Sequence, residues 1–409
     1  VLGARATLEP PAAALVRGGL RMGSLLAATA HLKALAHPQW LTEPACVAMP
    51  RRELVFAEPE PPDADQLALC ARIAAAYRIA GGRHAAGGLS PIWKGKVGRY
   101  YGVLERSLLA GDPHALNEQL RWMFRRPFLA GISTPIDYED PTAPRHWALR
   151  TYDCLAALAE ALGVVRAECP EQGIVGRIFA EGLDTLPQRI EASVGVSLDF
   201  PRVGAPYGVL IGGRLITRET ARHLYAALWL REAIELHLVA AAHVRIVEIG
   251  GGFAGAAMWY LRLPQRPPGS YTIVDLPLMN AFQAYFLGRV HGAGALQLCG
   301  EPSLDSASIR VLPTQVLTGS QSLDAEVVFN QDSLPECGER AARDYLSWMQ
   351  AHVRGLFLSC NQETATPIDG VPQLVVPELA GEYDGLQRLT RRPSWVRRGY
   401  VEEVYRCGG

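Results

Sequence analysis

Lysine is nearly missing from this chain: Lys33, Lys94 and Lys96 are the only three among 40 basic residues, and arginine supplies the rest. Acidic residues number 41, so the formal net charge is −1. No global field therefore draws the molecule to nucleic acid or to an anionic membrane. The arginine excess, with abundant alanine and glycine, reads as coding bias. The short pairs Arg51-Arg52, Arg125-Arg126, Arg391-Arg392 and Arg397-Arg398 read as solvated faces or local ion pairs. Closely spaced cysteines are also absent. Cys46, Cys70, Cys154, Cys169, Cys299, Cys337, Cys360 and Cys407 form no C-x-x-C pair, which argues against a zinc knuckle or a thioredoxin-type site. Scattered thiols of this kind fit small core residues in a reducing compartment. No apolar run reaches the roughly 18–20 residues of a membrane helix. The amino end lacks a compact signal-peptide layout, so a cytoplasmic location is expected. No repeat of fixed period or low-complexity tail stands out.

What is present is enough apolar material, 49% of 409 residues, for two cores. Residues 1–200 read as a mainly helical domain. Helical spacing covers residues 11–36; Asp63 and Asp65, at the end of a proline-broken loop, suit the N-cap of a helix starting near Gln66. That helix runs to about Ala80 and stops at Gly81-Gly82. Further helices are expected over Trp93–Leu109, over Pro113–Phe124 with Asp112 as N-cap, over Ala148–Leu162, and over Pro170–Val194 with breaks near Gly182 and Pro187. Asp137, Glu139 and Asp140 fall in a proline-rich loop. Two short apolar runs around Gly212-Gly213 predict a hairpin. Thr217 then caps a helix to about Ala242.

The hairpin and this helix open a second domain over residues 201–409, in which strand and helix alternate from residue 244, predicting a mostly parallel sheet covered on both faces. The expected strands are 244–249, 271–275, 296–299, 309–312, 325–330 and 355–359, with antiparallel edge strands from 386–389 and 400–405. The centre of this second domain is the run His243 to Gly255, an apolar β-branched strand that ends in Gly250-Gly251-Gly252 and leads into a helix. A turn without Cβ atoms lets a ligand approach the backbone, and the helix start offers unpaired N–H groups. The next strand ends in Asp275, placed to hold a ribose diol.

Gly250, Gly252 and Gly255 also satisfy G-x-G-x-x-G, with Asp275 following 20 residues after Gly255, as a dinucleotide site requires. Glu248 argues otherwise. Inside the strand, two residues before the first glycine, its carboxylate would repel a pyrophosphate and attract a cationic, amine-bearing ligand. S-adenosylmethionine has a sulfonium and an ammonium and no phosphate, so it is favoured over a dinucleotide and over a glycine turn without ligand. Glu248, Gly250, Gly251, Gly252, Phe253, Asp275, Leu276, Asn330 and Gln331 are the cofactor candidates.

Three blocks together, Val247-Glu248-Ile249-Gly250-Gly251-Gly252-Phe253-Ala254-Gly255, Tyr271-Thr272-Ile273-Val274-Asp275-Leu276-Pro277 and Val328-Phe329-Asn330-Gln331-Asp332-Ser333-Leu334-Pro335-Glu336, resemble the sugar O-methyltransferases of antibiotic and polysaccharide gene clusters. The segments at 203–208 and 120–126 look like that family's upstream blocks, so the similarity spans about residues 90–407. The resemblance implies a Rossmann-like class I methyltransferase domain, S-adenosylmethionine as donor with S-adenosylhomocysteine as product, and a sugar hydroxyl as acceptor. It implies no particular base, and no metal cluster is read from the sequence.

Methyl transfer to a sugar hydroxyl needs alignment and a proton acceptor. Asp332 and Glu336, in the loop after the 325–330 strand, and His223, on the helix leading to the glycine turn, are the candidate bases. Glu336 as a cap for the following helix is an equal reading. His84, His146 and His291 are weaker. The helical half either covers the crevice, with Trp93, Trp122, Arg125 and Tyr207 as acceptor contacts, or forms a homo-oligomer. A nicotinamide oxidoreductase and a catalytically silent cofactor-binding partner protein remain as other classes.

Overall fold

The chain was analysed as a computed structural model, which describes residues 34–41, 54–82, 89–129, 132–133, 143–239, 241, 243–264, 268–302, 308–317 and 323–408. His84, the acidic residues 137–140 and most of the helix expected over 11–36 lie outside them. A short strand, β1 (Leu54–Phe56), precedes helix α1 (Ala64–Ile79). The Asp63 carboxylate accepts the Gln66 N–H at 2.6 Å, and the Gln66 side chain accepts the Asp63 N–H in return. This reciprocal cap starts α1 two residues earlier than expected. In place of one helix over 93–109 there are two, α2 (Pro91–Tyr100) and α3 (Gly102–Ala110). The break falls at Tyr101, which is fully buried with its ring against Phe128 and Phe282.

Helix α4 (Pro113–Leu120) is capped by Asp112 as anticipated, yet it stops short of Phe124. Met123–Arg125 tighten into a 3₁₀ turn that sends Phe124 edge-on into Phe200, Phe253 and Phe286. Helices α5 (Ala143–Ala161), α6 (Arg177–Glu181) and α7 (Leu186–Val194) complete this part; Gly182 separates the last two. Residues 35–41 are fastened to α5. The His37 ring bridges Asp153 at 2.9 Å and Glu160 at 3.0 Å. Burial opposes its charge, but bonding to the two carboxylates prevails and raises its pKa to about 9.

Strands β2 (Tyr207–Ile211) and β3 (Arg214–Ile216) form the hairpin, and β1 adds to it antiparallel through Phe56 and Tyr207. Helix α8 (Arg218–His237) follows, capped by Thr217. Then come β4 (Arg245–Ile249), α9 (Gly255–Arg262), β5 (Ser270–Asp275), α10 (Pro277–His291), β6 (Leu296–Leu298), β7 (Ile309–Pro313), β8 (Ala325–Gln331), α11 (Glu339–His352), β9 (Val353–Gln362), α12 (Val376–Ala380), β10 (Leu386–Pro393) and β11 (Tyr400–Cys407).

These eight strands form one sheet in the order β10-β11-β9-β8-β4-β5-β7-β6, parallel from β9 through to β6. The fold is α/β and Rossmann-like, with a mainly helical first part. One expectation changes. β11 is not an edge strand: it runs antiparallel between β9 and β10. Its Glu402 and Glu403 are buried there because Arg392 and Arg391 reach across from β10, at 2.9 Å each. Strand alternation sorts the core. Ile246, Ile273 and Phe329 face the helical half, in a cluster that also holds Leu120, Tyr152 and Phe200. Val247, Val274 and Val328 face α11 and α12. The strand order reverses at β4, with β5 on one side and β8 on the other. A crevice therefore opens at their carboxyl ends.

Candidate functional site

A cavity of about 430 Å³ occupies that crevice, within the roughly 300–1,000 Å³ range of small-molecule sites. The loops leaving β4, β5 and β8 line it together, through Gly250–Gly252, Asp275-Leu276 and Gln331–Ser333. Gly250 has φ +74°, and a Cβ there would sit 2.0 Å from Ser333 Oγ, so both its conformation and its neighbour demand glycine. Ser333 Oγ donates to the Ile249 carbonyl at 2.9 Å, as does Asn330 Nδ2 at 2.8 Å. Asn330, fully buried and accepting from Asn361, thus braces the turn from behind and does not face the cavity. That corrects its assignment as a cofactor contact. Phe253 is corrected likewise: its ring is buried among Phe124, Phe200, His223 and Phe286. The residue after a glycine turn must anchor the new helix, and here an aromatic core takes it.

Two carboxyl groups flank the turn, Glu248 buried and Asp275 half-buried. Glu248 Oε2 accepts from the Tyr271 hydroxyl at 2.9 Å; Oε1 has no hydrogen-bond partner among the described residues. Burial pushes its pKa up to about 7. Asp275 accepts the Leu276 N–H and Gln283 Nε2, each at 2.7 Å, and burial pushes it up to about 7 as well. Neither carboxyl has a cation within salt-bridge distance among the described residues. Desolvation without a counter-charge is what raises both. Such a pair is poised to ionise when a positively charged group arrives.

The facing wall comes from α8, from α2 and from the segment between β10 and β11. His223 is buried against the first residue of α9: a Cβ on Gly255 would lie 2.1 Å from His223 Nδ1. That glycine is spent on close packing of α8 against α9. Nδ1 has no hydrogen-bond partner among the described residues, and burial lowers the ring's pKa to about 4. The imidazole is therefore neutral at physiological pH. Asp332 lines the cavity with φ +69°, accepting from Arg397 at 2.6 Å and from the Tyr400 hydroxyl at 2.9 Å. Glu336 pairs with Lys96 Nζ at 2.6 Å; burial raises its pKa in spite of that lysine.

Of the four acceptor candidates only Trp93 lines the cavity, with Lys96 over its ring at 4.7 Å. Tyr207 packs between Phe56 and Trp147 in the small sheet. Arg125 stacks on Phe56 and Trp122 while donating to the carbonyls of Ala57 and Ala205. These three build the hairpin's support and do not reach the cavity. Sequence reasoning missed Lys96, Arg218, Glu219, Arg222, Arg397 and Tyr400 as lining residues. One signal was visible: Arg218, Arg222 and His223 recur at helical spacing on an otherwise alanine- and leucine-rich helix. Among the described residues no group of three or more His, Cys, Asp or Glu side chains is arranged to hold a metal ion, and no helix is long and apolar enough to cross a membrane.

No protein-family model and no curated protein matches this chain. Solved structures similar to it include the mitomycin 7-O-methyltransferase MmcR, at 13% identity and a TM-score of 0.35, covering 83% of this chain and 94% of that one. The glycopeptide N-methyltransferase MtfA is similar at 13% identity and a TM-score of 0.31, over 44% of this chain and 89% of its own. The O-methyltransferase TomG from Streptomyces achromogenes, solved with S-adenosylmethionine, is similar at 12% identity and 0.31, over 46% and 81%. Matches this shallow do not decide what this chain binds or does.

Proposed function

We propose that this protein is an S-adenosylmethionine-dependent O-methyltransferase whose acceptor is a sugar hydroxyl of a saccharide or glycosylated small molecule. The observation that carries the reading is the carboxyl pair of buried Glu248 and half-buried Asp275, which have no counter-cation among the described residues and stand on either side of a left-handed glycine turn. Those residues fit the donor: Asp275 suits a ribose diol, Glu248 a cationic amino-acid end, and Gly250 to Gly252 leave backbone open for close approach. When bound, the donor would supply an electrophilic methyl group that passes in line to an acceptor oxygen as its bond to sulfur breaks, with S-adenosylhomocysteine as the leaving group.

The chain's own residues do the rest. His223 is the base this geometry favours, because it is neutral and its Nδ1 has no hydrogen-bond partner among the described residues, whereas Asp332 and Glu336 already neutralise Arg397 and Lys96. The lone pair of a neutral imidazole accepts the hydroxyl proton as the oxygen attacks. Glu219, whose carboxylate is held ionised at a pKa of about 2, stabilises the imidazolium that results; burial works against that charge, and Arg222 and Arg218 outweigh it.

Calorimetric titration with S-adenosylhomocysteine and, separately, with NADH tests the donor. The expected outcome is binding of the first and not the second; the reverse would establish a dinucleotide enzyme. Incubation with S-adenosylmethionine and a panel of glycosides, read by mass spectrometry, then tests the reaction through a gain of one methylene mass on the acceptor.

A further inference from the structure

The wall opposite the carboxyl pair is cationic, and its charges exceed what the protein itself neutralises. Arg218 and Arg222 stand one turn apart on α8, and Arg397 comes from the segment joining β10 to β11; all three line the cavity. Two carboxylates share that wall. Asp332 bonds Arg397 at 2.6 Å, and Glu219 lies 3.8 Å from Arg222. Arg218 has no salt bridge among the described residues, although it is only 7% exposed. Its Nε has no hydrogen-bond partner there, and neither has the Nε of Arg222. Partial compensation for Arg218 comes from the Trp147 ring, 5.7 Å from the guanidinium carbon, and from the charge of the adjacent Glu219, which makes no salt bridge with it.

A guanidinium removed from water without a partner is costly, so a buried one that lines a cavity marks where an anion belongs. Solvation chemistry says the same: burial, then the neighbouring Arg222, lowers the Arg218 pKa to about 9, so the site already strains against its own charge. Arginine's planar fork suits two-oxygen anions in particular.

We propose that Arg218, Arg222 and Arg397 form an oxyanion site, so that the acceptor is an acidic saccharide bearing a carboxylate or a phosphate ester. The inference rests on the methyltransferase reading for the word acceptor, and on α8 for its geometry. Arg222 and His223 are adjacent in the chain, so the helix that anchors the anion also carries the base. The anionic group then fixes which hydroxyl meets the imidazole.

The test is a set of calorimetric titrations on the full chain, first alone and then saturated with S-adenosylhomocysteine. The probes are methyl glucuronide, glucose 1-phosphate and neutral methyl glucoside. The expected result is binding of at least one anionic sugar, at least tenfold tighter than the neutral one and weakened by added salt. Which anionic probe binds identifies the source of the charge. R218Q and the R218Q/R222Q pair should lose that tenfold preference while keeping the wild-type affinity for S-adenosylhomocysteine. Equal binding of charged and neutral sugars by the wild type, or no binding of either anion, overturns the proposal without recourse to a variant. A preference that survives in folded R218Q/R222Q overturns it too. Anion selectivity without S-adenosylhomocysteine binding would instead leave the site standing and remove the methyltransferase reading.

Discussion

The two walls of the cavity are built by opposite means. The strand-end wall is mostly backbone: a glycine turn braced by Asn330 and Ser333, with two carboxyl groups that meet no cation. The facing wall is mostly side chain, with three guanidinium groups, the Glu219 carboxylate and an imidazole lining one cavity, and Asp332 reaching Arg397 from the loop after β8. Each wall holds charge it does not neutralise, negative on one and positive on the other. Together they would accept a ligand pair of complementary charge, a cationic donor and an anionic acceptor, and hold the two apart by polarity. Complementarity of this sort selects partners and orientation more than it adds raw affinity.

The comparison breaks most visibly at His223. H223A removes the only imidazole among the described residues that line the cavity, and kcat is expected to fall by about 10²–10⁴-fold with donor affinity unchanged. Single-turnover methyl transfer alongside S-adenosylhomocysteine titration measures this; a loss in affinity alone would put His223 outside the proton path. Next comes the strand-end turn. G250A forces a side chain onto Ser333 at φ +74°, at a strain of roughly 1–3 kcal/mol. It is expected to weaken S-adenosylhomocysteine by about tenfold or more at that strain, and to lower the melting temperature.

The carboxyl pair gives the third prediction, through pH. The folded pKa values of Glu248 and Asp275, about 7, lie above those of free carboxyls. The folded protein therefore holds extra protons between about pH 4 and pH 7, and these groups cost stability as pH rises through that window. An arriving ammonium favours the ionised forms. Donor affinity should therefore drop by up to about tenfold per pH unit per linked group below pH 7, with proton release visible in buffers of different ionisation enthalpy. E248Q should flatten that profile, bind S-adenosylhomocysteine less tightly, and melt higher than wild type at pH 8. A profile unchanged by E248Q would mean that the carboxyl does not meet the ligand. The smallest effects belong to the other two candidate bases. D332N and E336Q each disturb an existing ion pair, and turnover should stay within about fivefold, the scale of a partly exposed pair. A hundredfold loss in either would move the base to the strand-end loop.

The two walls were unequally legible. The glycine turn, Asp275 and the order of strands and helices followed from short stretches of chain, because strand, turn and helix start are neighbours in sequence and each leaves a local chemical mark. Asp63, Asp112 and Thr217 were readable as caps for the same reason. Arg397 was not. As half of an Arg-Arg pair near the end of the chain it looked like surface charge, yet it meets Asp332 across 65 residues of sequence. Trp122, Arg125 and Tyr207 went the other way: offered as acceptor contacts if the helical half covers the crevice, they are support for the three-stranded sheet. Phe253 and Asn330 sit beside true cavity residues but point away from the cavity, since alternate positions along a strand or turn face opposite sides.

By itself, then, the order of residues determined an α/β sheet with its crevice at β4 and a glycine turn in that crevice, since those depend on periodicity and on conformations that only certain residues adopt. What faces the turn was decided by folding alone. Which side of α8 is buried, and whether residues 394–400 reach the crevice, depend on packing between segments far apart in sequence, 65 residues for Arg397 and Asp332 and 177 for Tyr225 and Glu402. Identical charges spread along a chain carry no mark of that until the core has brought them together.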